Sequence, residues 1–118
     1  MSTIKRLPTP NSYSSAVVAG EYVFLGHHRG FGSTFSEQFD STFTYLKETL
    51  GKLGLTLDSL VRVNVWLKNI QDLPDMEKFF SRYFAKDEVP ARMTSTTEFI
   101  DADCLLMIDG IAYARQDR

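Results

Sequence analysis

A chain of 118 residues that is 43% hydrophobic and 24% charged buries enough apolar surface for one folded domain over residues 1–118, which excludes the disordered and fibrous classes. Its formal charge is −2 and its only adjacent basic pair is Lys5-Arg6, so no field favours nucleic acid. The single cysteine, Cys104, excludes an intramolecular disulfide and a cysteine-built zinc cluster, and no apolar run reaches membrane-spanning length.

The start, Met-Ser-Thr-Ile-Lys-Arg6, lacks the long apolar region of a signal peptide, so a cytoplasmic protein is expected. Leu7-Pro-Thr-Pro-Asn11 reads as a stiff, non-helical lead-in. Tyr13 to Ala19 and Tyr22 to Leu25 are β-prone and meet at Gly20-Glu21, a hairpin. Gly26-His-His-Arg-Gly-Phe-Gly32 follows as a glycine-punctuated loop.

From Thr34 the period becomes helical. Phe35, Phe39, Phe43, Leu46, Leu50 and Leu53 form one apolar stripe, with Thr34 and Glu37 as a capping box (Ser36 the other candidate cap) and Gly54 as the stop. Leu60 to Lys68 alternates as a strand, Val61, Val63, Val65 and Leu67 facing the helices and Arg62, Asn64, Trp66 and Lys68 facing away. Asp72 caps a second helix that tolerates Pro74 in its first turn and carries Leu73, Met76, Phe80 and Tyr83 inward, with Phe79 and Phe84 widening the stripe. Strands over 91–99 and 105–113 close the chain, joined by a turn at Asp101-Ala-Asp103.

The predicted order β-β-α-β-α-β-β is an α+β domain with both helices on one face of a sheet. The other face, with Trp66 and one side of the last strand, is more apolar than a small monomer usually exposes, so an oligomer with inward-turned sheet faces is expected.

Two charges stand out. Val89-Pro90 ends one element and delivers Arg92 near a strand start, while Asp109 is the only ionisable side chain in an apolar run, where a carboxylate needs a partner. Arg92 is the nearest strand-borne candidate. Such a pair is a structural ion pair or, beside a cleft, a site for a small carboxylic acid and a water. Adjacent His27 and His28, if in a strand, point to opposite faces and make poor joint ligands for one metal, so no metal is expected. Either could serve as a general acid or base, or contact a substrate. Cys104 reads as a buried spectator.

Tyr13-Ser14 with Ala16-Val-Val-Ala-Gly20, Gln38 on the first helix, the stretch from Val61 to Phe84, Pro90-Ala91-Arg92 and Ile108-Asp109-Gly110-Ile111-Ala112 together resemble the RidA (YjgF) family of small imine deaminases. The resemblance covers nearly the whole chain. It implies a chorismate-mutase-like fold on a mixed sheet, a barrel-like homotrimer with clefts between subunits, and hydrolysis of 2-imino acids to 2-oxo acids and ammonia without metal or cofactor. It also implies Arg92 as the grip on a substrate carboxylate, which a planar fork holds bidentately, with main-chain groups of the Ala91-Arg92 strand assisting. Asp109 falls where the family has a glutamate that orients water, and Tyr13 lines the cleft.

The chain departs from the pattern in four places. Asp109 is one methylene shorter than the family glutamate, Gly26-His27-His28 replaces a Ser-Gly-Gln, the segment before the first helix is shorter, and Ile100-Asp101 stands where a Leu-Pro often precedes the last strand. A non-catalytic or differently specific binder of small carboxylates is therefore the alternative, with the His pair and short loop retuning the cleft. The ribonuclease or translation-inhibitor activity of parts of that family fits this acidic chain least.

Overall fold

The computed structural model describes residues 4–114; the reading of the start as lacking a signal peptide lies partly outside them. Eight main elements follow one another: β1 (Lys5–Pro8), β2 (Ser14–Ala19), β3 (Tyr22–His28), α1 (Phe35–Gly51), β4 (Leu60–Leu67), α2 (Leu73–Phe79), β5 (Ala91–Thr96) and β6 (Leu106–Tyr113). The six strands form one mixed sheet in the order β1-β2-β3-β6-β4-β5, with β4 and β5 its parallel pair. Both helices cover one face and leave the other open. Among the described residues no helix is long and apolar enough to cross a membrane.

The stripe on α1 is the core. Phe39, Phe43, Leu46 and Leu50 are fully buried and meet Val63, Val65, Leu67, Leu106 and Ile108 from the sheet, with Met76 and Phe80 arriving from α2 and the turn after it. Burying each such side chain contributes roughly 1.5–3 kcal/mol. Thr34 caps α1 by accepting from the Glu37 amide at 3.1 Å, but the Glu37 carboxylate turns back to the Ser33 amide and hydroxyl, both at 2.8 Å. The helix ends where Gly54 takes φ +74°, which lets the Leu55 amide donate to the Leu50 carbonyl.

Several local expectations are corrected. The lead-in contains a strand: β1 pairs with β2 at the sheet edge, and Pro8 sits at its end, where the register shifts and a missing N–H costs nothing. Val61 is 45% exposed because a bulge between Leu60 and Arg62 inserts it, so Leu60 takes the inward place instead. The last two strands are shorter than expected, the first ending at Thr96 rather than Phe99 and the second starting at Leu106 rather than Leu105. Asp72 stands at the start of α2 without a side-chain capping bond.

A second bulge shapes the site. Leu25 pairs with Gly110 and His28 with Ile108, so Gly26 and His27 both lie opposite the single Asp109. The segment predicted as a loop is thus strand as far as His28. The extra residue also lets Leu25 and His28 both point into the core while His27 points out. Gly110 is required for closeness: a Cβ there would lie 2.4 Å from the Arg62 carbonyl oxygen.

Candidate active site

The open face carries Asp109 at the middle of β6. Asn64 is its direct partner on β4 and Trp66 the next residue along that face. Asn64 Nδ2 donates to Asp109 Oδ1 and Trp66 Nε1 donates to Asp109 Oδ2, each at 2.7 Å. These two donors replace the arginine that the sequence suggested as partner. Hydrogen bonds to a charged group contribute on the order of 1.5–3 kcal/mol, enough to fix the half-buried carboxylate in place. Each oxygen keeps a lone pair for a further donor. Alternation placed Asn64 and Trp66 on this face; the antiparallel β4–β6 register, invisible in sequence, brings them to Asp109.

Beside this triad opens a cleft of about 670 Å³ lined by Tyr13, His27, Arg29, Phe31, Tyr45 and Met107, among others. Tyr13 and His27 meet ring to ring at 4.9 Å between centroids. Met107 lies two residues before Asp109 on the same face, which ties the cleft to the carboxylate. The structure therefore gathers Tyr13, His27 and Asp109 on one side of the sheet.

Arg92 is elsewhere. It pairs with Val63, which is wholly buried under the helices, so its side chain leaves β5 on the helical face. There Nη2 donates to Glu77, Nε donates to Thr94 Oγ1 at 3.1 Å, and the guanidinium lies 5.2 Å from the Phe80 ring centre. With Glu77, Phe80, Phe84, Val89 and Pro90 it lines a groove of about 460 Å³. Ala91, on the same edge strand, is exposed and faces the open side opposite Arg62.

His28 does not reach the cleft. It is fully buried, its Nδ1–H donating to the Gly26 carbonyl at 2.7 Å and its Nε2 accepting from the Thr49 hydroxyl at 2.8 Å, with Tyr45 packed on the ring at 4.2 Å. Burial pushes its pKa below the usual imidazole value, outweighing the opposing Gly26 bond. It is a core histidine in the neutral form. Cys104 is likewise buried, and burial pushes its thiol pKa up. Among the described residues no group of three His, Cys, Asp or Glu is placed to hold a metal ion.

Residues 3–114 match the profile of the Endoribonuclease L-PSP family. A RutC family protein of Pyrococcus abyssi is 26% identical over 118 residues, spanning 92% of each chain. A solved structure from Streptococcus pyogenes, described as a member of the highly conserved yjgF family, superposes with TM-score 0.88 at 28% identity over 98% of this chain and 100% of that one. A YjgF family member from Neisseria meningitidis has the same fold, with TM-score 0.90 at 22% identity over 97% of both chains.

Proposed function

This chain belongs to the Endoribonuclease L-PSP family, the group that includes the YjgF (RidA) and RutC proteins, and from that premise we propose that it is a cofactor-independent hydrolase of small 2-imino acids. The observation that carries the reading is the Asp109 carboxylate, held by Asn64 and Trp66 and neighboured by His27 and Met107, two residues that line the Tyr13–His27 cleft. A fixed carboxylate with unused lone pairs accepts a proton from water as the water oxygen bonds to the imine carbon. The C=N electron pair passes to nitrogen, which is protonated. Collapse of the carbinolamine then expels ammonia, so that imino acid plus water gives 2-oxo acid plus ammonia.

Arg92 is proposed to grip the substrate carboxylate, and because it leaves the sheet on the face opposite Asp109, the proposal pairs it with the Asp109 of a neighbouring protomer. The proposed assembly is a homotrimer in which the open faces turn inward and the edge strand β5 of one protomer borders the cleft of the next. The open face supports this, since Tyr22, Phe24 and Met93 on it are 45%, 48% and 56% exposed, more apolar surface than a lone domain usually shows. Ala91 offers main-chain groups along the same edge.

One observation favours a second reading, a carboxylate binder without turnover: Arg92 and Asp109 leave the sheet on opposite faces, so a single protomer does not bring the grip and the water-orienting carboxylate together. The two separate in a threonine dehydratase reaction containing semicarbazide. A hydrolase shortens the life of the imine and lowers the initial yield of semicarbazone. Unchanged semicarbazone formation with folded protein present overturns the hydrolase reading. Size measurement by light scattering tests the assembly; a monomer would remove the shared site.

A further inference from the structure

We propose that Arg29 and the aromatic wall beside it select the substrate, so that the group entering the cleft is a planar aromatic ring bearing an uncharged acceptor oxygen. The inference deepens the imine-hydrolase reading of this same cleft by naming a substrate class.

Arg29 follows β3 directly, and its side chain is only 10% exposed at the cleft wall. Nη1 donates to Asp101 Oδ2 at 2.9 Å, Nε donates to the Gly30 carbonyl at 3.3 Å, and the guanidinium carbon sits 4.3 Å from the Phe31 ring centre. Nη2 lies 3.2 Å from Asp103 Oδ2, within ion-pair distance. Its geometry is nonetheless wrong for a hydrogen bond, and it is the one buried side-chain nitrogen or oxygen among the described residues that lacks a partner. The angle decides here, because an N–H···O bond weakens steeply off line. A buried guanidinium N–H without an acceptor is costly, and a group that supplies one is bound.

The charge around it sets what kind of acceptor. Asp101 and Glu98 line the cleft and Asp103 lies within ion-pair distance of the guanidinium, so a second carboxylate on the ligand would be repelled. A hydroxyl or carbonyl oxygen meets no such opposition. The Asp103 side chain is 76% exposed, and it gives way to such an oxygen by turning into water.

The shape sets the rest. The tilted Tyr13–His27 pair stands at one side and Phe31, 66% exposed, at another, with Tyr45 and Met107 completing an aromatic and thioether lining. Rings prefer such neighbours in offset or edge contact. A short alkyl chain would leave most of the 670 Å³ unfilled.

The test generates 2-imino acids with an L-amino-acid oxidase from 2-aminobutyrate, phenylalanine and tyrosine and compares the rates at which the protein hydrolyses them. The expected order is 4-hydroxyphenyl over phenyl over alkyl, the first step being about tenfold, the discrimination of one hydrogen bond to a charged group. Arg29→Lys keeps the charge but loses the fork, and it should collapse that first step. Phe31→Leu, on an exposed side chain that the fold does not need, should narrow the gap between aromatic and alkyl imines. Equal rates for phenyl and 4-hydroxyphenyl imines, or alkyl imines hydrolysed fastest, would overturn the inference. Calorimetric titration with 4-hydroxyphenylpyruvate and phenylpyruvate separates the two proposals. An Arg29-dependent preference for the hydroxylated compound without hydrolysis of any imine removes the hydrolase reading alone; equal binding of both compounds removes this one.

Discussion

Asp109 and Arg92 leave the sheet on opposite faces, separated by strand β4. Asp109 is paired with Asn64 on the open side, while Arg92 is paired with the buried Val63 and reaches Glu77 and Phe80 on the helical side. The two charges therefore do not neutralise each other within one protomer. Each has its own partners, and each can be perturbed separately.

Trp66→Phe removes the donor to Asp109 Oδ2 while keeping an aromatic ring at the position opposite Met107. The carboxylate then loses one of its two anchors, and kcat for imine hydrolysis should fall about ten- to a hundredfold, the scale for a misplaced catalytic group. Asp109→Asn should be more severe, because the amide cannot accept from both Asn64 and Trp66 or take a proton from water. Steady-state kinetics with circular dichroism as a folding check measures both. Wild-type kcat in Asp109→Asn would remove the carboxylate from the reaction.

Glu77→Gln takes away the anion that occupies Arg92 Nη2. A ligand carboxylate no longer competes with a resident one, so the affinity for 2-oxobutyrate should rise several-fold, on the scale of a partly exposed ion pair. Arg92→Ala should abolish the binding that Glu77→Gln enhances. Isothermal titration of the three proteins decides it, and identical affinities would mean that Arg92 does not meet the carboxylate.

His28 couples stability to pH. Its folded pKa lies below its unfolded value near 6.5 because burial disfavours the charged ring. The unfolded chain therefore takes up a proton before the folded one does. Stability from this group is present above the unfolded pKa and is lost as pH falls below it towards the folded pKa. His27 and Asp109 act on the ring in opposite senses, His27 lowering its pKa and Asp109 raising it. Urea unfolding at pH 7.5 and 5.5 should show a loss approaching, at most, about 1.4 kcal/mol per pH unit. In His28→Gln that slope should flatten, and an unchanged slope would place the effect on another group.

Gly110→Ala and Gly51→Ala should differ in sign. The new methyl at 110 meets the Arg62 carbonyl oxygen at 2.4 Å and forces β4 and β6 apart, costing about 1–3 kcal/mol or more. At 51, the end of α1, nothing lies within 4 Å and φ is not positive, so alanine should stabilise by about 0.5–1 kcal/mol. Thermal melts of the two variants report the contrast.

The 3.6-residue stripe of α1, the alternation from Val63 to Leu67 and the proline at α2 determined the α+β layering by themselves, since each is a local consequence of which side chains must leave water. The resemblance carried by Pro90-Ala91-Arg92 and Ile108-Asp109-Gly110 was legible in the same way. Strand β1 was not, because two prolines outweigh four extended residues until an edge is available to pair with them. Nor were the partners of Asp109. Asn64 and Trp66 were assigned to the correct face, but only the β4–β6 register sets them against the carboxylate, and only the strand order sends Arg92 to the other side. The bulge at Gly26-His27 likewise decided which histidine is core and which lines the cleft. A one-residue shift reverses a side chain's face, and pairing between distant strands, which no local pattern encodes, fixes that shift.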